Sequence, residues 1–93
     1  MSQQQILDAI FDERWKQDRQ WGGPDHDDGH RVNDWVALIT RHAGLAVEDG
    51  GDDDRSRFRR QMIRVAALAV AAIEAHDRTS ERIAGKHATG SGF

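Results

Sequence analysis

The stretch of sequence that decides the fold of this chain is Met62-Ile63-Arg64-Val65-Ala66-Ala67-Leu68-Ala69-Val70-Ala71-Ala72-Ile73. At 100° per residue its side chains are apolar on every side of a helix, and only Arg64 interrupts the run. A small acidic chain tolerates such a helix only if it is covered all round, because apolar surface left in water is unfavourable. We therefore expect it to be the central helix, with its second face buried against another copy of the chain.

The size and composition of the chain predict one all-α domain. Its 93 residues are near the small end of the range in which a single core folds without disulfides or a metal. The absence of cysteine excludes a disulfide framework, a thiolate zinc site and a thiol nucleophile. The N-terminus does not have the pattern of a signal peptide, and the longest apolar run is far short of the ~20 residues that cross a bilayer. These features predict a cytoplasmic protein with no membrane partner.

The charged residues favour a small anionic ligand over a nucleic acid. A net charge of -3 argues against general binding to the nucleic-acid backbone. Eleven of the thirteen basic residues are arginines, and the planar arginine fork pairs at two points with phosphate or carboxylate. This skew favours a phosphate-bearing ligand, although GC-rich coding bias together with solvated helix faces explains it equally well.

Apolar spacing predicts three helices, at about residues 3–20, 34–47 and 54–78. A polar loop without periodicity separates the first two helices at 22–32, and Asn33 is expected to cap the second helix. An acidic turn at 48–54 separates the second helix from the third. Trp15 and Trp35 lie on apolar stripes and are expected in the core. Residues 1–84 form the single domain, and the glycine-rich residues 85–93 are expected to be a flexible tail.

The loop after the first helix is a candidate metal or acid-base site. Asp25-His26-Asp27-Asp28-Gly29-His30 holds three carboxylates and two imidazoles, which are ligands for a transition metal or manganese and also candidates for a general base. These residue types are also ordinary in solvated loops, and no recognised zinc-binding spacing is present. The candidate metal ligands are His26, Asp27, Asp28 and His30.

A group of arginines is the candidate phosphate site. Arg57, Arg60 and Arg64 fall within a sector of about 60° on the third helix, and Arg41 on the second helix is positioned to join them in clamping a polyphosphate. The alternative is a solvated face that pairs with acidic neighbours. Because Arg64 lies inside the apolar run, where an unpaired charge is costly, we expect it to have a carboxylate or phosphate partner.

Two further side chains complete the candidate ligand site. Trp21 lies beside the Gly22-Gly23-Pro24 turn, where it is suited to form a lid or pocket wall that stacks on a base. His42 lies near the apolar face of the second helix, where it is either a hydrogen-bonded core residue or a ligand contact.

The order of three motifs resembles the small phage- and prophage-associated MazG-like proteins of the all-α nucleoside triphosphate pyrophosphohydrolase superfamily. These motifs are Glu13-Arg14-x-x-Gln17-x-x-x-Trp21-Gly22, Trp35-x-x-Leu38-Ile39-Thr40-x-x-x-Gly44, and the stretch 60–74 that contains the central apolar run. The likeness covers about residues 11–78. It implies a three-helix hairpin unit that completes its core by dimerisation or tetramerisation.

The resemblance also implies that the usual metal ligands are missing. Active members of that superfamily hold magnesium with a Glu-Glu-x-x-Glu motif and a Glu-x-x-Asp motif. In register, these five acids fall on Arg41, His42, Leu45, Gln61 and Arg64. Magnesium requires hard, usually anionic oxygen ligands, and Arg41 and Arg64 would repel it. The two arginines are instead expected to replace the positive charge of the metal and to bind phosphate in the same cavity.

Three functions follow as alternatives. The first is a phage-type protein that binds or sequesters a nucleotide or nucleotide second messenger without a cofactor and without cleaving it, which suits a role against host signalling or defence. The second is a nucleoside triphosphate pyrophosphohydrolase whose Mg or Mn site has moved to the His/Asp loop. The third is a helical inhibitor or scaffold of another protein, with no small ligand.

Overall fold

A computed structural model describes residues 2–48 and 55–91 and places them in four helices, α1 (Gln3–Trp21), α2 (Pro24–Asp28), α3 (Val32–Glu48) and α4 (Arg55–Ser91). These residues contain no strand, which confirms the all-α class. The first three helices each pack against α4, so the apolar stretch 62–73 is the central helix, as expected. Within the same residues, no helix combines the length and the hydropathy of a membrane span.

Both ends of α1 are fixed by local hydrogen bonds. The Ser2 hydroxyl accepts from the Gln5 N–H at 3.2 Å and the Gln5 amide oxygen accepts from the Ser2 N–H at 2.8 Å, a reciprocal capping arrangement that satisfies two free donors. At the other end, Gly22 has φ 103° and its N–H donates to the Asp18 carbonyl. Gly23 also has a positive φ, of 71°, which favours glycine at both positions.

Residues 24–28 correct the prediction of an aperiodic loop. They form α2 because Pro24 stands in the first turn of the helix, where its fixed φ is favourable and its missing N–H costs nothing. The turn places Asp27 in a buried position, which an extended loop would not do.

The start of α3 also differs from the prediction. Asn33 lies inside the helix, which begins at Val32, so Asn33 is not the cap. The Asp34 carboxylate instead accepts a hydrogen bond from the Arg31 N–H at 2.8 Å. An acid in the first helical turn satisfies the preceding amide and also lies favourably at the positive end of the helix.

The end of α4 lies beyond the predicted end at 78. The helix continues to Ser91, because residues 79–84 contain no proline and a single glycine such as Gly85 costs a helix only about 1 kcal/mol. The flexibility of a tail at 85–93 stays a prediction, and residues 92–93 lie outside the described part of the chain. The acidic turn also lies mostly outside it, at residues 49–54.

The core is a narrow contact between α3 and α4. Trp35 is 8 % exposed and packs on Ala71 and Ala75, with Leu38 and Leu68 beside them. This confirms Trp35 as a core residue and adds the alanine stripe of α4, whose small side chains allow a close approach of the helices.

The prediction that Trp15 is a core residue is wrong for the single chain. Trp15 is 61 % exposed, and the Arg19 guanidinium lies 4.6 Å from the centre of its ring. The face of α1 that meets α4 carries Arg14, which bonds to Glu74 at 3.1 Å. With this pair at the contact between the helices, part of the apolar stripe of α1 points toward solvent.

An ion-pair cluster fastens α2 to the outer part of α4. The Asp28 carboxylate accepts from Arg78 Nε at 3.0 Å and from Arg82. These two hydrogen bonds lower the pKa of Asp28 from its ordinary 3.8, the bond from Arg78 being the larger cause.

Replacing Asp28 with asparagine is expected to lower the melting temperature by several degrees at neutral pH. Because the pKa of Asp28 is lower in the folded chain, its stabilising effect is present above the unfolded pKa and disappears as the pH falls through the folded value. Thermal unfolding followed by circular dichroism at several pH values measures this. The exposed Asp25→Asn change on the same helix is the control, and equal melting temperatures of the two variants would contradict the role given to Asp28.

Candidate ligand-binding site

All four helices contribute to a cavity of about 380 Å³, which we call the central cavity. Its ring-bearing lining residues are Trp21, His26, His30, Trp35 and His42. The other polar lining residues are Glu13, Arg14, Gln17, Gln20, Asp27 and Arg64. Leu38, Leu68 and Ala71 supply apolar surface. The volume lies in the range of small-molecule sites, about 300–1,000 Å³.

Four rings in succession form one wall of the central cavity, which we call the ring wall: Trp21, His26, His30 and Trp35. Trp21 and His26 are stacked, with centres 6.0 Å apart and planes 22° apart. His26 meets His30 edge to face at 4.8 Å, and His30 meets Trp35 at 4.7 Å. The wall therefore runs from the exposed Trp21 to the buried Trp35. Successive flat π-surfaces of this kind suit a planar heteroaromatic ligand.

Two ion pairs in the central cavity are longer than a hydrogen bond. Arg64 Nε lies 3.6 Å from Glu13 Oε1, which confirms that Arg64 has a carboxylate partner. Arg14 lies 3.7 Å from Asp27 Oδ2 and is held more closely by Asp18 and Glu74, both at 3.1 Å. Because hydrogen bonds in proteins are shorter than these two distances, Glu13 and Asp27 keep the capacity to accept from a ligand.

Asp27 is a buried acidic residue of the site, and its side chain is as little exposed as that of Arg14. The residue is 7 % exposed, and its Oδ2 has no hydrogen-bond partner within the described residues. Burial raises the pKa of this carboxyl above its ordinary 3.8, and the nearby Arg14 charge opposes the rise. A buried acceptor without a donor is costly, so a ligand that supplies N–H groups would be stabilised here.

A polar pair joins α3 to α4 beside the central cavity. His42 Nδ1 lies 3.4 Å from the Gln61 amide oxygen, and Gln61 is 6 % exposed. His42 is half-buried and lines the cavity as well, and its contact with a ligand stays a prediction.

A second, smaller cavity lies between α1 and α4, and we call it the basic cleft. Its volume is about 240 Å³. Its basic lining residues are Lys16, Arg59, Arg60 and Arg64, against the two carboxylates of Asp12 and Glu13. The excess of basic groups favours anions. Arg64 and Glu13 line both the cleft and the central cavity, so the two spaces adjoin.

The structure brings together part of the predicted ligand site. Trp21, His42 and Arg64 line the central cavity, and Arg60 lies in the adjoining cleft. Arg41 does not line either space but lies in a separate shallow cavity, which shares His30 and Leu38 with the central cavity. The helix accounts for this difference, because Arg41 and its neighbour His42 are about 100° apart around α3.

Arg57 is not part of this arrangement. It is half-buried and lines neither the central cavity nor the basic cleft. The clamp of four arginines expected from the sequence is therefore not assembled in the single chain; the structure instead places Arg59 and Lys16 beside Arg60 and Arg64.

The four candidate metal ligands face different partners. Asp28 is bound to Arg78 and Arg82, whereas Asp27 faces Arg14. His26 and His30 belong to the ring wall. In the part of the chain that the structure describes, no three histidine or acidic side chains lie together as metal ligands would. The two imidazoles contact each other and the two carboxylates face arginines, and a metal site in this segment stays a prediction.

Sequence reasoning did not assign the polar face of α1 to the site. Glu13, Arg14 and Gln17 stand in the first motif of the family resemblance, yet they were not predicted as ligand contacts. The available signal was the interval of four residues from 13 to 17 to 21, which places Glu13 and Gln17 on the same helix face as Trp21.

None of the protein-family models, curated proteins or solved structures compared with the chain matches it. The function is therefore inferred from the side chains that line the central cavity and the basic cleft.

Proposed function

We propose that the chain binds and sequesters a nucleotide, with the base against the ring wall and the phosphates at Arg64 and in the basic cleft. The observation that carries this proposal is the position of Arg64, which lines both the central cavity and the cleft. A base and a phosphate group are covalently joined through a sugar, so a nucleotide site needs a stacking surface and an anion site side by side.

The base is accommodated by the stacked rings of Trp21 and His26 and by side-chain amides. Trp21 and His26 present nearly parallel rings, and stacking of a base on an aromatic side chain contributes about 1–3 kcal/mol. Gln17 and Gln20 line the same cavity, and each side-chain amide both donates and accepts hydrogen bonds. The rings and the two amides can therefore hold an uncharged base.

The phosphates are accommodated by arginines without a metal ion. The Arg64–Glu13 pair is long, at 3.6 Å, so a phosphate oxygen can replace this carboxylate in a shorter, charge-assisted hydrogen bond. The neighbouring Arg60 and Lys16 supply further positive charge. His42 and Gln61 stand where the family resemblance predicts metal-binding acids, and their contact contains no carboxylate, which supports capture rather than metal-assisted hydrolysis.

Calorimetric titration with ATP, GTP, CTP and UTP in the presence of EDTA tests this proposal. Binding without a divalent ion is expected, and Arg64→Glu should raise the Kd at least tenfold, or about 1.4 kcal/mol. Arg19→Glu reverses one charge on the exposed side of α1 and serves as the control, which should bind as the unaltered chain does.

Two other results would contradict sequestration. Release of pyrophosphate that depends on added Mg or Mn would identify the chain as a pyrophosphohydrolase. The absence of binding by all four nucleotides at millimolar concentration would leave a protein-binding role as the remaining alternative.

We also propose that the chain is a homo-oligomer. Large apolar side chains on the outer face of α4 are exposed in the single chain. Phe58 and Ile73 on the outer face of α4 are 53 % and 60 % exposed, and they are the side chains that a second copy would cover.

Replacing Ile73 with glutamate is expected to convert the oligomer to a monomer, because it places a charge on an apolar contact surface. Sedimentation velocity at several protein concentrations measures the mass in solution. Val32→Glu is the matched control, since Val32 is also apolar and exposed but stands at the start of α3. A monomeric mass for the unaltered chain at all concentrations would exclude the oligomer.

A further inference from the structure

One carboxylate in the central cavity lacks a hydrogen-bond donor among the described residues. Asp27 lines the cavity, as His26 does, and its side chain is 11 % exposed. Its Oδ2 has no hydrogen-bond partner among the described residues, and its nearest cation, Arg14, is 3.7 Å away and engaged at 3.1 Å with Asp18 and Glu74. A ligand that fills the cavity therefore meets a carboxylate in need of donors.

We propose that Asp27 makes the site selective for guanine nucleotides, by accepting hydrogen bonds from the N1–H and the 2-amino group of the base. This inference rests on the proposed nucleotide-binding function and adds the identity of the base. The last torsion of an aspartate side chain is broad, so the carboxylate can turn both oxygens toward the edge of a base that is stacked on the ring wall.

The pattern of donors and acceptors on the other common bases disfavours them at this carboxylate. Guanine alone presents two adjacent N–H donors on its pairing edge. Adenine and cytosine present one amino group beside a ring nitrogen lone pair, which the carboxylate repels. Uracil and thymine have a single N–H on this edge, between two carbonyl oxygens, and both oxygens repel the carboxylate. A buried polar group left facing a lone pair costs far more than it does in water.

The second acid of the cavity does not have this role. Glu13 lies beside the basic cleft and is paired with Arg64, so it stands on the phosphate side of the site. Asp27 instead lines the central cavity together with His26, on whose ring the base is proposed to stack. The arrangement separates phosphate binding from base selection.

The test is a calorimetric comparison of GTP, ATP and xanthosine triphosphate, with the unaltered chain and with Asp27→Asn. Xanthine keeps the N1–H of guanine but carries a carbonyl oxygen in place of the amino group. An asparagine amide offers one acceptor and one donor, which match this edge. The unaltered chain is expected to bind GTP at least tenfold more tightly than ATP, and Asp27→Asn is expected to prefer xanthosine triphosphate over GTP.

The matched control is Asp25→Asn, an exposed position on the same helix that lines no part of the central cavity. It should keep the preference for GTP. A gain of xanthosine binding cannot result from a misfolded variant, so the reversal is informative even if Asp27→Asn is less stable.

Two outcomes would overturn the inference, and they differ in what they say of the site. Nucleotide binding with no base preference, or with a preference that Asp27→Asn leaves unchanged, would reject the role of Asp27 while nucleotide binding itself stands. Failure of every nucleotide to bind the unaltered chain would reject the proposed function and the role of Asp27 with it.

Discussion

Replacing Trp35 with alanine is expected to destabilise the chain by about 3–5 kcal/mol, the usual cost of truncating a large buried aromatic side chain. Trp35 is 8 % exposed and packs on Ala71 and Ala75, whose short side chains cannot extend to fill the space. A domain of this size has only about 5–15 kcal/mol of stability in total. Urea denaturation monitored by circular dichroism measures the loss.

The matched control is Trp21→Ala, at the other end of the ring wall. Trp21 is 55 % exposed, so its removal is expected to cost less than about 1 kcal/mol of stability and to weaken nucleotide binding. Trp35→Ala should lower the stability and also weaken nucleotide binding. Equal losses of stability in the two variants would contradict the assignment of Trp35 to the core and of Trp21 to the mouth of the cavity.

Replacing Arg14 with methionine is expected to lower the free energy of unfolding by about 3 kcal/mol. The Arg14 side chain is 11 % exposed and contacts Asp18, Glu74 and the buried Asp27. Removing one partner of a buried pair leaves an uncompensated charge, which typically costs about 3–5 kcal/mol. We expect the lower end because Asp18 and Glu74 regain contact with water. Thermal and urea unfolding of the variant measure this cost.

A second substitution and a change of pH separate this electrostatic effect from lost packing. In the Arg14→Met background, the second change Asp27→Asn should restore at least about 1 kcal/mol of the free energy of unfolding, because it removes the unpaired charge. The pKa of Asp27 is raised in the folded chain, so its charged form destabilises the fold as the pH rises through that value. Because the Arg14 charge opposes this rise, Arg14→Met should raise the pKa of Asp27 further and should destabilise the fold less at acidic than at neutral pH. If the loss of stability in Arg14→Met changes neither with pH nor with Asp27→Asn, lost packing alone explains it.

Much of the helical framework was predictable because it depends on local patterns. The apolar run around Ala67 could be covered only at the centre of the fold, and α4 does lie there. The Gly22-Gly23 turn ended α1 as expected, since both glycines adopt a positive φ. The start of α2 was missed because Pro24 was interpreted as a helix breaker, although proline in a first turn favours a helix.

The site was only partly predictable because helix rotation is decided by tertiary contacts. The stripe of α1 that contains Trp15 is expected from the sequence to face the core, but the side of α1 that meets α4 carries the contact of Arg14 with Glu74, and Trp15 is exposed. That contact joins residues 60 positions apart, and no local pattern indicates it. The same uncertainty in rotation explains why Arg41 was grouped with Arg64, whereas the structure places them in different cavities.

The most direct test of nucleotide binding in the central cavity is a nuclear Overhauser measurement between a bound guanine nucleotide and the protein. Contacts are expected from the base H8 proton to the rings of Trp21 and His26, which are part of the ring wall. Contacts of the nucleotide phosphates, detected through phosphorus, are expected with the Arg64 side chain. Contacts only to residues outside the central cavity, such as Val36 and Ile39 on the opposite side of Trp35, would contradict this position of the nucleotide.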